Sequence, residues 1–341
     1  MTPLEKVAVV ILNWNGKGYL EKFLPSVTQH SGAAQIIVAD NASTDDSVVF
    51  VETHYPQVRV IRNADNGGFS RGYNEAFKHV EADYAVLLNS DVEVTANWLL
   101  PLVALLDENP NIAACQPKIK AYHQRTSFEY AGAAGGFVDK YGYPFCRGRI
   151  FDTLEEDQQQ YNDNIPVFWA TGACLMVRLS LYKQLGGLDE TFFAHMEEID
   201  LCWRMQNAGY SVWACGQSEV FHVGGGTLSK ANPRKTFLNF RNGLVLLCKN
   251  LPASQLLPII LIRLVLDGVA GAKMFFAGQG ADTWAIIRAH FAFYGGLSHW
   301  LKARKAARQH FKDQAALYPH SIVWEYFVGG KKKYRDLKDF R

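Results

Sequence analysis

The first quarter of the chain alternates between short apolar runs, polar loops and stretches of helical pattern. The apolar runs have the length of strands and are rich in β-branched residues, which favour strands. The alternation repeats at intervals of roughly 25 residues, which is typical of a parallel sheet with right-handed crossovers. The sequence therefore predicts an α/β fold with a mostly parallel central sheet flanked by helices.

We predict strands at Val7–Leu12, Gln35–Ala39, Val58–Arg62 and Tyr84–Leu88, each followed by a loop rich in Asp, Asn, Gly or Ser. The carboxyl ends of parallel strands share one edge of a sheet, and ligands bind outside that edge. Such residues also form turns without any ligand, but four polar loops at one edge favour a binding crevice. Residues 115–165 lack a clear period and are predicted as an irregular insertion over this crevice.

The fourth predicted strand ends in Asn89-Ser90-Asp91-Val92-Glu93. In an extended chain, residues two apart project to the same side, so Asp91 and Glu93 are predicted to present their carboxylates together. Hard cations such as Mg²⁺ are held by one or two carboxylates together with substrate phosphates. A solvated strand end is the alternative explanation of the two acids.

A second acidic group lies at Glu197, Glu198 and Asp200, in a predicted amphipathic helix. Acids in the first turn of a helix interact favourably with its positive end, which is one explanation. The other is that one of these acids is a general base. Asp200 can pair with Arg204, four residues further along the helix.

His222 stands shortly before three consecutive glycines, Gly224, Gly225 and Gly226. A histidine in such an apolar stretch is usually a core residue. Glycines directly after it favour a place where the backbone approaches a phosphate or a sugar. Both interpretations stay open at this point.

The 341 residues are 48% hydrophobic and 20% charged, which indicates a globular chain with one large or two modest domains. Residues 230–341 carry 19 Lys and Arg against 6 Asp and Glu, whereas residues 1–229 carry 16 against 27. This asymmetry indicates that the C-terminal part meets an anionic surface. We therefore divide the chain into residues 1–245 and a basic, apolar helical region at 246–341.

The six cysteines show no Cys-x-x-Cys or zinc-ligand spacing, and cysteines in apolar runs behave as small buried hydrophobes. The N-terminus has one short apolar run and no cleavage-like segment, so we expect no secretory signal. These features predict a cytoplasmic protein with reduced thiols.

The stretch Leu256–Ala277 is strongly apolar but contains Arg263, Asp267 and Lys273. A charge near the middle of a membrane span costs about 2.5–3.5 kcal/mol. We therefore expect helices that lie on a membrane or pack on the rest of the protein. Basic residues between 302 and 312 and at 331–333 suit an anionic interface, and a solvated helical face explains them equally well. No nucleic-acid recognition motif accompanies them, so nucleic acid is not an expected partner.

The motifs of the chain resemble those of family-2 glycosyltransferases of the GT-A type, in the bacterial branch that includes rhamnosyltransferases. The resemblance covers about residues 5–245 and rests on the order and spacing of seven motifs. They are Val9–Gly16, Val38–Ser47, Asn66–Asn74, Leu88–Glu93, Ala170–Arg178, Glu197–Arg204 and His222–Thr227. The resemblance implies a GT-A fold, a nucleotide-diphosphosugar donor, Mg²⁺ or Mn²⁺ as cofactor, and inversion at the anomeric carbon.

The resemblance also implies roles for individual residues. The nucleotide-sugar-binding residues would be Asn13, Asn15, Asp40, Asn66, Gly68, Phe69, Asn74, Asp91 and Gly172, with Asp40 at the nucleobase. The metal ligands would be Asp91, Glu93 and His222, with Asp-Val-Glu in place of the family's Asp-x-Asp. The family's catalytic Glu-Asp pair falls on Glu197 and Glu198, which implies Glu198 as the base, Glu197 as its reserve and Asp200 as a supporting residue.

The resemblance thus implies a metal-dependent inverting glycosyltransferase of bacterial surface polysaccharide synthesis, acting at the inner face of the cell membrane. Its implied donor is dTDP-rhamnose, and its implied acceptor is a glycan or a polyprenyl-diphosphate-linked glycan. One alternative is a sugar-nucleotide nucleotidyltransferase, although the chain lacks a Gly-rich basic loop near its start. The other is a non-catalytic, membrane-associated carbohydrate-binding protein, for which the altered Asp-x-Asp would be a sign of decay.

Overall fold

The computed structural model describes residues 2–224, 232–307 and 315–337. Within these residues the chain forms thirteen strands and eleven α-helices. The strands are β1 (Val7–Asn13), β2 (Gln35–Asp40), β3 (Arg59–Arg62), β4 (Tyr84–Asn89), β5 (Val92–Val94), β6 (Ile112–Ala121), β7 (Gly136–Val138), β8 (Pro144–Cys146), β9 (Arg149–Ile150), β10 (Thr153–Leu154), β11 (Ile165–Val167), β12 (Cys174–Arg178) and β13 (Ser211–His222). The helices are α1 (Lys17–His30), α2 (Ser47–His54), α3 (Gly68–Phe77), α4 (Leu99–Glu108), α5 (Leu179–Gln184), α6 (Glu197–Asn207), α7 (Pro233–Asn250), α8 (Ala253–Phe276), α9 (Gly280–Gly295), α10 (Leu297–Ala307) and α11 (Ile322–Phe327).

The main sheet has nine strands in the order β11-β13-β6-β12-β4-β1-β2-β3, with β5 paired to the end of β13. Strands β1 to β4, β6 and β13 run in one direction, whereas β5, β11 and β12 run antiparallel to them. The prediction of a mostly parallel central sheet is therefore confirmed. Each of the four predicted N-terminal strands lies within one residue of its observed bounds.

Both faces of the main sheet are covered, as parallel strands require. On β1, alternate side chains enter different layers: Val9 packs in the layer of α1 and α4, and Val10 in the layer of α3, α6 and α7. The six cysteines are buried and free, as the sequence predicts.

The prediction of an irregular insertion at residues 115–165 was wrong. Strand β6 lies inside the main sheet between β13 and β12, and β7 to β10 form a second, four-stranded antiparallel sheet. The first eight residues of β6 are all buried, and the polar residues Gln116, Lys118 and Lys120, which alternate with apolar ones, were not recognised as the pattern of a strand. Strands β11 and β12 are separated by residues 168–173, which include Gly172.

The C-terminal helices pack on the sheet-bearing part of the molecule. Residues 244–248 of α7 belong to one hydrophobic core with Phe137 and Phe145 of the small sheet and with Phe293, Trp300 and Ile322 further along the chain. The boundary predicted at residue 245 stays a prediction, and α7 runs across it. Among the described helices, none combines the length and apolarity that a membrane crossing requires.

We expect Leu247→Ala to lower the free energy of unfolding of the whole chain by about 2–5 kcal/mol, because it removes a fully buried side chain from the shared core. Urea unfolding followed by circular dichroism measures this change. Leu257→Ala is the matched control, since that side chain is 67% exposed. Equal stability of the two variants would contradict a shared core.

Candidate active site

The carboxyl ends of β1, β2 and β3 are joined to one another by hydrogen bonds. The backbone N–H of Asn41 donates to the carbonyl of Asn13, and that of Asn63 donates to the carbonyl of Asp40, both at 2.8 Å. The Asn13 side chain is buried, and its Nδ2 donates to Asp40 Oδ1 at 3.1 Å and to Ser47 Oγ at 2.9 Å. Asp40 is thus held rigidly at the end of β2, beside the loop that follows β1.

Asn15 connects the loops that follow β1 and β2. Its φ of 50° lies in the left-handed region, which asparagine tolerates. Its Oδ1 accepts a hydrogen bond from the backbone N–H of Thr44 at 2.7 Å, and its own N–H donates to Ser43 Oγ at 2.9 Å. The first two predicted binding loops therefore form one surface.

The third loop packs against two other segments of the chain. Asn66 Oδ1 accepts a hydrogen bond from the N–H of Gly68 at 3.1 Å. A Cβ atom on Gly68 would lie 3.5 Å from the carbonyl oxygen of Phe193, and one on Gly172 would lie 2.9 Å from the Phe69 ring. The structure therefore brings Asn66, Gly68, Phe69 and Gly172 to one place, in front of α6.

Asn74 has a different role from the one that the sequence predicts. Its Oδ1 accepts hydrogen bonds from Tyr182 Oη at 2.7 Å and from the N–H of Leu188 at 3.0 Å. Its Nδ2 donates to the carbonyl of Leu188 at 2.8 Å and to Glu190 at 3.0 Å. Both ends of this amide are occupied by protein groups, so Asn74 fixes α3 to the segment that precedes α6.

His222 lies between two carboxylates at the end of β13. Its Nε2 is 3.2 Å from Asp91 Oδ1, and its Nδ1 is 3.2 Å from Glu129 Oε2. All three side chains are buried. Burial lowers the pKa of His222, but the hydrogen bonds to Asp91 and Glu129 outweigh it and raise this pKa to about 10. Gly225, Gly226 and Thr227, which the sequence also singles out, lie outside the described residues.

The prediction that Glu93 projects to the same side as Asp91 was wrong. The chain turns at Ser90 and Asp91 between β4 and β5, so the two acids do not share one extended strand. On β5, Glu93 stands opposite Phe221, whereas His222 is on the other face of β13. The Glu93 carboxylate pairs with Arg125 at 2.8 Å.

Glu129 is a residue of this site that the sequence analysis missed. It lies in the segment without clear periodicity, where no sequence signal distinguishes it. Within the described ranges, no group of three or more His, Cys, Asp or Glu side chains is arranged so that it could hold a metal ion by itself. Asp91 offers an oxygen donor, which suits Mg²⁺ or Mn²⁺ when phosphate oxygens and water supply the other ligands. His222 would add a nitrogen donor only after losing the proton that its raised pKa retains.

The acidic turn at the start of α6 follows a strained segment. Phe193, His195 and Met196 have φ values of 67°, 69° and 77°, which non-glycine residues rarely adopt. Asn242 of α7 holds this segment, since its Nδ2 lies 2.8–3.0 Å from the carbonyl oxygens of residues 192, 194 and 195. Strain of this kind persists where the surroundings fix the backbone, and it is concentrated at functional sites.

Glu197 and Glu198 are adjacent but differ in exposure. Glu197 is buried, and burial together with the neighbouring Glu198 carboxylate raises its pKa well above the usual range. Glu198 is half-buried, and burial raises its pKa to about 6. In each of the two, Oε2 is buried and has no hydrogen-bond partner among the residues that the structure describes. Glu198 therefore combines access to the crevice with a proton affinity near neutral pH.

Asp200, one turn further along α6, is fully buried and fully paired. Its carboxylate lies 2.8 Å from Arg204 Nε, 2.9 Å from Lys249 Nζ and 2.9 Å from Asn250 Nδ2. Burial raises the pKa of Asp200, but Lys249 and Arg204 outweigh it and lower this pKa to about 2. The predicted pairing of Asp200 with Arg204 is confirmed.

The segment 170–173 connects the Asp91–His222 pair to the acidic turn. At one end, the N–H of Asn89 donates to the carbonyl of Ala173 at 3.0 Å, and Asn89 Nδ2 is 3.4 Å from His222 Nε2. At the other end, the N–H of Ala170 donates to Cys202 Sγ at 3.5 Å, one turn after Glu198. Both groups therefore lie at the carboxyl edge of the sheet, on either side of one short segment.

A cavity of about 270 Å³ lies beside these loops. Its lining includes Asn41, Arg62, Asn63, Asp65 and Arg71. Asn63 Nδ2 donates a hydrogen bond to Asn41 Oδ1 at 2.7 Å. Neither residue was predicted as a site residue from the sequence. Neither Asp91 nor Glu198 lines this cavity, so it flanks the carboxylates and does not contain them.

This α/β sheet gathers carboxylates, a histidine and amides at its carboxyl edge, which is where open α/β sheets bind their ligands. A family model described as glycosyl transferase family 2 matches residues 8–186, which is more than half of the chain. The chain therefore belongs to glycosyl transferase family 2 and is a glycosyltransferase.

Curated relatives include two rhamnosyltransferases. The N-acetylglucosaminyl-diphospho-decaprenol L-rhamnosyltransferase of Mycobacterium tuberculosis is 26% identical over 230 residues, covering 63% of this chain and 75% of the relative. Rhamnosyltransferase WbbL of Escherichia coli is 24% identical over 218 residues, covering 60% of this chain and 78% of the relative.

Two solved structures share the fold. GalNAc-T7 with UDP, GalNAc and Mn²⁺ matches 97% of this chain with a TM-score of 0.62 at 15% identity, and the match spans 57% of that protein. Mannosyltransferase PcManGT from Pyrobaculum calidifontis, in complex with GDP-Man and Mn²⁺, matches 89% of this chain and 84% of its own length with a TM-score of 0.50 at 15% identity. The predicted fold class is therefore confirmed.

We expect the stability of the protein to depend on pH through Asp200. A carboxylate with a lowered pKa stabilises the fold above its unfolded pKa of about 3.9, and this contribution is lost as the pH falls toward about 2. Between pH 5 and pH 3, the free energy of unfolding should fall by about 1 kcal/mol more in the wild type than in Asp200→Asn. Urea unfolding at several pH values measures this difference, and parallel pH curves would contradict it.

Proposed function

We propose that the protein is a metal-dependent inverting glycosyltransferase that moves a sugar from a nucleotide-diphosphosugar to an acceptor hydroxyl. The observation that carries the proposal is the position of Glu198, a half-buried carboxylate with a pKa near 6, at the same sheet edge as Asp91 and His222. A group with this pKa accepts a proton at neutral pH and is suited to general base catalysis.

The relatives support a finer proposal for donor and acceptor. Two of them are rhamnosyltransferases by name, and the name of one specifies an N-acetylglucosaminyl-diphospho-decaprenol substrate. We therefore take dTDP-rhamnose as the donor and a polyprenyl-diphosphate-linked glycan as the acceptor of this chain. The reaction would then take place on the cytoplasmic side of the cell membrane, in the synthesis of a bacterial surface glycan.

Each acidic residue has one role in the proposed reaction. Glu198 takes the proton of the acceptor hydroxyl as that oxygen attacks the anomeric carbon. Glu197, whose raised pKa favours its protonated form, is not assigned as the base. Asp200 stays ionised and holds α6 in place through Lys249 and Arg204. Because base and leaving group lie on opposite faces of the sugar, a single displacement inverts the anomeric configuration.

Asp91 and His222 are the proposed protein ligands of the metal ion, beside the diphosphate of the donor. A bound Mg²⁺ or Mn²⁺ would supply Lewis-acid stabilisation of the charge on the departing nucleotide diphosphate. Both solved relatives contain Mn²⁺ together with a nucleotide or nucleotide sugar. The first two loops, with Asn13, Asn15 and Asp40, are proposed to bind the nucleoside.

The assignment of the base predicts different effects for two neighbouring substitutions. Glu198→Gln should lower kcat about 10²–10⁴-fold and leave donor affinity unchanged, because the amide cannot accept the proton. Glu197→Gln should be much milder, since an amide resembles the protonated acid that stands there. The measurement is transfer with radiolabelled donor alongside donor binding by calorimetry. If only the Glu197 variant lost turnover, the base would be Glu197 and not Glu198.

The assignment of the metal ligands predicts a contrast between Asp91→Asn and Glu93→Gln. In calorimetric titrations with dTDP, Mn²⁺ should increase the affinity of the wild type and of Glu93→Gln to the same extent. In Asp91→Asn, the increase in dTDP affinity that Mn²⁺ causes should be smaller by about tenfold or more, because one direct carboxylate ligand is removed. An unchanged Mn²⁺ effect in Asp91→Asn would contradict the assignment.

A further inference from the structure

Helix α8 carries two of its three charged side chains toward the protein and its large apolar side chains toward the outside. Arg263, Asp267 and Gly271, spaced four residues apart, form its buried face. Six of its eight exposed large hydrophobic residues recur at the three- and four-residue spacing of another helical face. They are Leu257, Leu261, Leu264, Val265, Val269 and Phe276.

The charged groups of the inner face are satisfied by protein partners. Asp267 accepts hydrogen bonds from Tyr143 Oη at 2.8 Å and from His290 Nε2 at 3.0 Å, and it pairs with Arg263 at 3.2 Å. Arg263 also donates to the carbonyl of Tyr141 at 3.0 Å. A helix on the surface of a water-soluble protein shows the reverse pattern, with its apolar stripe inward. The outer face of α8 is therefore suited to apolar surroundings.

The two helices that follow α8 extend the apolar surface. Thr283 Oγ1 donates to the carbonyl of Gly271 at 3.0 Å, and His290 contacts Asp267, so α9 runs antiparallel along α8. The exposed large hydrophobic residues of α9 and α10 are Trp284, Ile287, Phe291, Tyr294, Leu297 and Leu301. We call these six residues and the six of α8 the apolar face. Extended exposed apolar surface marks a binding site in a soluble protein.

The exposed charges around the apolar face are all of one sign, and the partly buried Asp282 accepts a hydrogen bond from Thr236 Oγ1. Within residues 253–307, all of which the structure describes, the exposed charged side chains are those of Lys273, Arg288, Lys302 and Lys305. If a second copy of the chain covered this face, these cations would approach their own counterparts. An anionic lipid surface instead offers opposite charges around an apolar interior.

We propose that the apolar face docks into the surface of a lipid bilayer rich in anionic headgroups, with α8 lying in the plane of the membrane. The 24 residues of α8 make a rod of about 36 Å along that surface. The inner side of α8 stays packed on the protein through Arg263 and Asp267. Lys302 and Lys305 contact the headgroups while the side chains of the apolar face enter the acyl boundary.

Docking in this way would bring the crevice close to the membrane surface. Helix α7 packs on α8, α9 and α10, and its Asn242 and Lys249 hold the segment and the helix that carry Glu198. A lipid-linked acceptor would reach the acidic turn without leaving the bilayer. This consequence for the acceptor rests on the proposed function, whereas the docking itself depends on the surface alone.

Flotation of the full chain with vesicles tests the docking. One vesicle preparation contains equal parts of phosphatidylglycerol and phosphatidylcholine, and the other contains phosphatidylcholine alone. The wild type should float with the first and much less with the second. The double variant Val265→Glu, Phe276→Glu should bind the anionic vesicles at least about tenfold more weakly, because both side chains would enter the lipid. Val49→Glu is the matched control, since Val49 is 63% exposed on α2, and it should float like the wild type.

Two further measurements keep the outcomes distinct. The double variant Lys302→Glu, Lys305→Glu should bind anionic vesicles more weakly than the wild type, by about fivefold for each positive charge removed. Added salt should reduce the difference between this variant and the wild type. Hydrolysis of the donor in solution should be equal in the wild type and in the Val265, Phe276 variant, so failed docking is separable from a failed function. The proposal is overturned if the wild type floats with neither preparation, or if the double variant floats as well as the wild type. It is also overturned if light scattering shows that the wild type is a dimer and the double variant a monomer, because a second copy would then cover the face.

Discussion

The buried ion pair between Asp200 and Lys249 is the interaction on which the geometry of the site depends. Both side chains are almost completely removed from water, and unpaired charges in such surroundings are strongly destabilising. Separation of helix α6 from α7 would therefore break both this ion pair and the hydrogen bond from Asn250 to Asp200. Asn242 of the same helix α7 also holds the strained segment before α6. The acidic turn is therefore positioned by two sets of contacts with α7, one on each side of it.

The same environment gives three acids of one helical turn three different proton affinities. Asp200 has cationic partners and a pKa of about 2, whereas Glu198 has no cationic partner among the described residues and a pKa of about 6. Burial of Glu197, together with the neighbouring carboxylate, raises its pKa well above the usual range. Partners, and not residue type, decide which acid can take up a proton near neutral pH. This division is what a general base next to a structural carboxylate requires.

The sequence predicted the N-terminal part of the fold closely because its strands are short, β-branched and separated by polar loops. It failed at β6, where Gln116, Lys118 and Lys120 alternate with apolar residues but are placed in a strand that is buried on both faces over its first eight residues. It also failed at Glu93, because the turn at Ser90 and Asp91 breaks the alternation on which the prediction rested. Glu129 reaches His222 from a segment without periodicity, so a contact between residues 93 positions apart left no local trace. Asn74 matched a motif, but only the structure shows that protein groups occupy its amide.

The central claim is that Asp91 and Glu198 act on one sugar from two sides of a crevice at the sheet edge. A crystal structure of the protein with Mn²⁺ and a non-hydrolysable dTDP-sugar tests this claim most directly. We expect the metal ion to contact Asp91 and the diphosphate, and the Glu198 carboxylate to face the anomeric carbon from the side opposite the diphosphate. A donor bound in the cavity between Asn41 and Arg71, with its anomeric carbon turned away from Glu198, would contradict the account.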